Sequence, residues 1–510
     1  MQGMLLIVPP VAKPCEPPAG IARLAGVLHA HGIPCRLFDA NLEGMLALLA
    51  QPPTVTDTWS RRAGRSRERH LAALRDPRSY GTPDRYRRAV GDLNRLLAVA
   101  AKEYGATAGL ADYQHATLSP LRSADLLAAA ERPEQNPFYP FFSRRLPELL
   151  DDHAAAPVRV AGFSLNFLSQ ALCTFAMIGF LRRRYPAVRI VLGGGLVTSW
   201  LARPGWRTPF AGVVDDLIAG PGELPLLELA GAAPTEECRA LPAYGSLPLA
   251  DYLSPGVILP YSAAGGCWWN RCSFCPERAE GNPYRPLPPT RAGEELRALT
   301  TAHRPGLIHL LDNAVSPALL RELAQTPPGA PWYGFVRFGP ELADEEFCHA
   351  LRRSGCVMLR LGLESGDQGV LDRLQKGIDL GMASRVLTNL RRAGIATYCY
   401  LLFGTPAEDE AAARRTLEFV VAHREAIRFL NLAVFNMPAF GEEAAEYGTE
   451  PFYAGDLSLY TGFRHPRGWD RQRVRRFLNR EFARHPAVAA ILRNDPPCFT
   501  SNHAPFFGGE

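Results

Sequence analysis

A chain of 510 residues has room, at the usual domain size, for roughly three domains of about 150 residues, so a small disulfide-stapled scaffold is excluded. Hydrophobic residues at 47% and charged residues at 21% fit a compact soluble protein, and not a disordered chain or a charge-stripped membrane protein. The net charge of +5 arises from 56 basic and 51 acidic residues without any basic block, which implies neither nucleic acid binding nor membrane insertion.

The only lysines are Lys13, Lys102 and Lys376; all other cations at neutral pH are arginines. No charged leader followed by an apolar stretch opens the chain, so a reducing cytoplasm is expected and the eleven cysteines should be thiols or ligands. Residues 4–8 form an apolar run ending at Pro9 and Pro10, followed by an amphipathic segment from Ile21 to His31 and a second apolar patch at Cys35 to Phe38. That is a strand, helix, strand opening. From about 52 to 155 the texture becomes Arg-, Ala-, Asp- and Pro-rich, which reads as a helical insertion. Alternation resumes with Arg159 to Phe163, a helix to about Arg184, Val188 to Leu192 and Val213 to Ile218. The expectation is a doubly wound, Rossmann-like α/β domain over residues 1–235.

The uncharged stretch Val160 to Leu181 is long enough to span a bilayer, but Ser164, Asn166, Ser169 and Gln170 interrupt it. A buried strand, a loop and a helix explain it better.

A second series of apolar runs follows: Val257 to Tyr261, Leu307 to Leu311, Trp332 to Phe338, Val357 to Leu363, Thr397 to Phe403 and Phe429 to Phe435. Helical patterns lie between them, for example Asp344 to Ser354 with Gly355 as its cap. Repeated βα units of this kind curl into a full or partial barrel with its chemistry at the carboxyl ends of the strands. The reading is a (β/α)6 partial TIM barrel over 236–436, then a small helical and loop segment over 437–510.

Just after the first strand of that series comes Cys267-Trp-Trp-Asn-Arg-Cys272-Ser-Phe274-Cys275. Three thiols on one loop can converge on a soft metal centre and leave a coordination position open. Structural zinc is the competing reading. It wants four closed ligands, and no second pair or nearby histidine follows.

The loop resembles that of the radical S-adenosylmethionine superfamily, whose members usually carry three residues between the first two cysteines, two before the last, and an aromatic just ahead of the last. Phe274 and the second spacing match, whereas the first spacing here is four. Further along, Leu361-Gly-Leu-Glu364-Ser365-Gly366, Val370-Leu371, Lys376-Gly377 and Leu402-Phe-Gly404-Thr-Pro406 with Glu408 look like the branch of the superfamily that carries a cobalamin-binding domain. The resemblance implies a [4Fe-4S] cluster on Cys267, Cys272 and Cys275, with S-adenosylmethionine on the open iron. In that arrangement Glu364 and Ser365, ending the fourth strand, would meet the ammonium or ribose hydroxyls, and Arg337, ending the third, would pair with a carboxylate. Gly404 would let the adenine approach the backbone. An ion pair of Glu364 with Arg337 or a neighbour is the structural alternative.

The amino-terminal part resembles the cobalamin-binding fold of the same proteins. Ser164 and Asn166, Gly193, Gly194 and Gly195, and the Gly220 to Glu223 turn all fall on loops after strands. Close approach of a corrinoid needs glycine, and Ser164 with Asn166 would bond its nucleotide tail. The alternative is glycines that only turn strand into helix. The loop from Val8 to Gly20 has no histidine, so the resemblance implies cobalamin without a protein imidazole beneath cobalt. A methyltransferase acting on an unactivated carbon of a small molecule or peptide, reduced by a flavodoxin or ferredoxin, is the function implied. Rearrangement or cyclisation without methyl transfer is one alternative, and a metal-stabilised binding protein another. Cys498 and His503 are read as packing in a carboxyl-terminal cap, and the remaining cysteines as small buried hydrophobes.

Overall fold

The computed structural model describes residues 3–52, 57–152, 156–232, 239–451, 453–496 and 504–507. Cys238, Cys498 and His503 lie outside the described residues. The chain divides into two compact units: one is built on the residues up to Val257 with Ala454–Ser458, the other on Ile258–Tyr453, Leu459–Asp495 and the 504–507 turn.

The first unit holds a five-stranded sheet of β1 (Gly3–Val8), β2 (Cys35–Asp39), β3 (Val158–Ser164), β4 (Arg189–Gly193) and β5 (Asp216–Leu217), in the order 2-1-3-4-5. Every pairing is parallel. All six residues of β1 are buried, as its continuous apolar run requires of a central strand covered on both faces. Burying Leu5 and Ile7 contributes about 1.5–3 kcal/mol each. The strand order reverses between β1 and β3, and in such sheets that switch point opens a crevice at the strand carboxyl ends. The Val160 to Leu181 stretch resolves into β3 and the helix Leu168–Arg184. The 52–155 region is mainly helical, through Thr58–Arg75, Pro83–Ala101, Ser123–Glu131 and Tyr139–Leu150. It also carries a short antiparallel pair, Ala106–Ala108 with Tyr113–His115, that three-residue strands leave too weak to read in the sequence. Ala454–Ser458 joins this unit through Leu457 N–H to the Leu121 carbonyl and Ser123 N–H to the Asp456 carboxylate.

The second unit holds six parallel strands in sequential order: β6 (Ile258–Tyr261), β7 (Leu307–Leu310), β8 (Trp332–Val336), β9 (Cys356–Glu364), β10 (Ala396–Phe403) and β11 (Phe429–Val434). The helix Glu345–Arg353 is capped by Asp344 at its start, and Gly355 follows it with φ +99°. Alternate residues of each strand face the concave side. There Tyr333, Met358, Tyr398 and Phe429 are 0–6% exposed and pack with Ala504 into a floor. One level nearer the carboxyl ends, Phe335, Arg360, Tyr400 and Asn431 are only half-buried. The last segment of the chain is not only helix and loop, since Tyr460–Phe463 pairs antiparallel with Met437–Pro438 and Thr449–Glu450.

Candidate active site

The cysteine loop leaves β6 through Gly266, whose φ of +71° and closeness to the Pro283 carbonyl, 2.5 Å from any added Cβ, admit only glycine. A two-residue ladder of Ala264–Gly265 with Arg285–Pro286 closes its base. The loop is then clamped against the turn 374–377. Ser273 N–H donates to the Leu374 carbonyl at 3.1 Å, Trp269 Nε1–H donates to the Gln375 carbonyl at 3.0 Å, and the Trp269 ring covers Gly377. Arg337, ending β8, lies 4.2 Å from the Trp269 ring centroid, donates to the Lys376 carbonyl and points a guanidinium N–H at the Cys272 sulfur, 3.8 Å away. Among the described residues, four non-glycine residues have a left-handed backbone, and three of them, Asn270, Glu364 and Gln375, belong to this assembly. Strain of this kind, about 1–3 kcal/mol per residue, persists where surrounding structure over-determines it.

Among the described residues no three His, Cys, Asp or Glu side chains converge as ligands of one ion. A single zinc needs its donors in one tetrahedral shell, whereas an iron-sulfur cluster takes each thiolate on a different iron. Three thiols on one loop, with the cationic Arg337 beside Cys272, are a donor set that suits such a cluster. The Cys275 thiol is pushed up chiefly by burial, with Cys272 and Cys267 near enough to add to it. Burial lowers Arg337, and the Cys272 thiolate opposes that shift.

Glu364 ends β9 at a bulge, with φ +65°, and its carboxylate accepts from Lys376 Nζ at 2.8 Å. The structural ion pair is thus made with Lys376 and not with Arg337. Lys376, one of three lysines in an arginine-rich chain, had no role assigned from sequence. Its ammonium also sits 5.5 Å from the Phe274 ring centroid, which ties the pair to the cysteine loop. Gly362 leaves the room for this, because a Cβ there would come within 2.7 Å of Glu364 Oε1 and 2.8 Å of Lys376 Nζ. Both side chains are about nine-tenths buried, so Glu364→Ala strands an ammonium and should cost about 3–5 kcal/mol of stability. Urea unfolding of that variant and of Lys376→Met checks this. A loss below about 1 kcal/mol in both would mean that the pair is effectively solvated.

Ser365 corrects its sequence expectation. It is fully buried, and its hydroxyl bonds Thr416 at 3.2 Å and accepts from Asp367 N–H at 3.1 Å, fixing the turn after β9 rather than facing an open space. Asp312 accepts from Ala263 N–H, while Ser316 caps the helix that follows. Gly404 has φ +79°, and its N–H donates to Glu408 Oε2 at 2.6 Å. Trp469 Nε1–H donates to the same oxygen at 2.9 Å.

Burial pushes Glu408 from the ordinary glutamate value of 4.5 up to about 8. The folded protein therefore keeps a proton that the unfolded chain releases, a contribution present in full below pH 4.5 and lost as pH rises through about 8. Asp39 and Asp312, each raised to about 6 by burial, act in the same sense. Unfolding midpoints should fall across this window, and Glu408→Gln should flatten the upper part of the decline. A stability that rises with pH over the same range would contradict this reading.

In the first unit Ser164, Asn166, Gly193, Gly194 and Gly195 all lie at the carboxyl ends of β3 and β4. Asn166 is engaged at both ends of its amide, donating to Ser164 Oγ at 3.0 Å and accepting from Gly195 N–H at 2.9 Å. Its role here is to stitch the two loops together. Gly194, with φ +110°, sits so close to Leu165 that an added Cβ would be 2.4 Å from its carbonyl oxygen. Gly195 is exposed and opens the helix Gly195–Leu201. Phe167 and Leu168, beside Asn166, are 58% and 39% exposed.

Residues 261–420 match the model of the radical SAM superfamily. The chain is 25% identical over 293 residues to an anaerobic magnesium-protoporphyrin IX monomethyl ester cyclase of Rubrivivax gelatinosus, a match covering 53% of this chain and 50% of that protein. It thus spans about half the length of that relative. Among solved structures it is similar to the radical S-adenosylmethionine methyltransferase TsrM from Kitasatospora setae, solved with cobalamin and a [4Fe-4S] cluster bound. The TM-score is 0.53 at 17% identity, over 88% of this chain and 78% of that one. The cobalamin-dependent radical enzyme OxsB, with aqua-cobalamin bound, gives a TM-score of 0.52 at 12% identity, over 88% of this chain and 55% of that one. Residues 261–420 are therefore a radical SAM superfamily domain, in a chain that shares its fold with cobalamin-dependent radical SAM enzymes.

Proposed function

We propose that the protein is a cobalamin-dependent radical S-adenosylmethionine methyltransferase acting on an unactivated carbon. The observation that carries the reading is the clamped loop of Cys267, Cys272 and Cys275 against Arg337 and the Glu364–Lys376 pair, at the carboxyl ends of the barrel strands. With a cluster on the three thiolates, bound S-adenosylmethionine can be cleaved to a 5'-deoxyadenosyl radical, and a corrinoid can supply the methyl group. Glu364, held by Lys376, offers a carboxylate to a cationic ammonium. Arg337 holds the cysteine loop and offsets thiolate charge, Phe274 packs the loop against Val370 and Leu374, and Gly404 turns the chain after β10 with its amide held by Glu408. In the first unit, residues 1–235 would bind the corrinoid at the switch-point crevice, with Gly193 and Gly194 as its floor, Gly195 at its rim and Ser164 at its edge. The nine described cysteines are all free thiols, which suits a reducing cytoplasm and reduction by a flavodoxin or ferredoxin. No described helix is long and apolar enough to cross a membrane.

The test is to incubate reconstituted protein with reductant, S-adenosylmethionine and an extract of its source, and to measure 5'-deoxyadenosine and new masses. Deoxyadenosine together with a product one methylene heavier supports methyl transfer. The similarity to a cyclase favours the second reading, in which deoxyadenosine accompanies a product without an added carbon.

A further inference from the structure

We propose that the barrel interior carries an anion subsite, centred on Arg360, that takes a carboxylate of the substrate. The inference rests on the radical reading of the barrel mouth and names the class of molecule that enters it.

Met358, Arg360, Gly362 and Glu364 alternate onto the concave face of β9. Below them His309 of β7 and Tyr333 of β8 stack at 4.4 Å and 14°. The Arg360 guanidinium lies over that pair, 5.4 Å from the Tyr333 ring centroid, and donates to His309 Nε2. Its Nε–H is buried without an acceptor, and among the described residues no carboxylate forms an ion pair with it. An N–H buried without an acceptor is costly, so the Arg360 Nε keeps bonding capacity that a bound acceptor would use. Above the closed floor, Phe335 on the neighbouring strand, Tyr400 and Asn431 are only half-buried, so packing among the described residues does not seal the barrel at this level.

One guanidinium with an imidazole that accepts its hydrogen bond balances a single negative charge. Its planar fork matches a carboxylate, whereas a phosphate dianion would call for a second cation. Arg360 precedes Glu364 by four residues, one of which the bulge takes up, so about 10 Å of strand separates them. A molecule anchored at Arg360 and reacting at the mouth is therefore an elongated carboxylic acid, with its reacting carbon on the order of 10 Å from the carboxylate.

The test is calorimetric titration of the whole chain with phenylalkanoic acids of increasing chain length, with their primary amides and with inorganic phosphate. At least one acid should bind about tenfold or more tightly than its amide, and phosphate should not compete with it. Arg360→Gln should erase the preference of acid over amide. Arg360→Lys, which keeps charge and stem but loses the fork, should keep part of it, and unfolding curves verify that both variants fold. Equal binding of acid and amide, binding of no acid, displacement by phosphate, or a preference that survives in Arg360→Gln each overturn the proposal. The titrations do not depend on radical chemistry. Absence of S-adenosylmethionine cleavage by the wild-type enzyme would therefore sink the radical reading and leave the carboxylate result to stand or fall separately.

Discussion

Anaerobic reconstitution of the wild-type chain should load about four irons and four sulfides, and replacing Cys267, Cys272 and Cys275 together by Ala should reduce that to near zero. The effect can be read as ligation rather than misfolding because the loop does not depend on its thiols for its shape. Its fixed points are the Ser273 amide on Leu374, the Trp269 indole on Gln375 and the ring of Phe274 beneath Lys376. All three survive the triple substitution, so unfolding midpoints should change little while iron and the associated absorption vanish. Zinc analysis of the same preparations separates the competing centre. Tight stoichiometric zinc in the wild type, with no iron taken up anaerobically, would favour the mononuclear alternative. An iron content that persists in the triple variant would mean that the cluster ligands have been misassigned.

How much of this was legible in the sequence depended on how local each signal was. The six barrel strands could be placed because each is a continuous apolar run bounded by turns, and the parallel order follows from the helices between them. The doubly wound sheet was legible for the same reason. The partner of Glu364 was not: a carboxylate at the end of β9 and a lysine twelve residues on carry no spacing signal, because a bulge and two left-handed residues bring them together. The one clue was compositional, a lysine kept where the chain otherwise uses arginine. Ser365 was misplaced because sequence puts it at the strand end without showing that Thr416, from a later helix, would take its hydroxyl. Asn166 was read as a ligand contact, yet polar loop residues as readily join two loops as face a cofactor. The Arg360 site was invisible because it joins three separate strands across the barrel.

Corrinoid retention should drop about tenfold or more in Gly195→Leu while the fold and the iron content are kept. The choice between neighbouring glycines is decided by space. A Cβ at Gly194 would press on the Leu165 carbonyl from 2.4 Å, and its φ of +110° is rarely adopted by any other residue. Substitution there would pry the two crevice loops apart, with a backbone strain of about 1–3 kcal/mol before the clash is counted. Lost corrinoid in such a variant could not be told from lost structure. Gly195 is different. An added Cβ would have only Asn166 Oδ1 near it, at an ordinary 3.7 Å, and the position is exposed at the first turn of a helix where leucine is a good former. A leucine there would occupy the crevice from its rim and should alter stability by no more than about 0.5 kcal/mol. The loop between β1 and the first helix has no histidine, so electron paramagnetic resonance of the cobalt(II) form bound to wild type should show no splitting from a protein nitrogen. If Gly195→Leu retains corrinoid as wild type does, the crevice between β3 and β4 is not the corrinoid site. If the wild-type chain retains none, the domain is a degenerate relative of the cobalamin fold and the reading without methyl transfer gains the weight.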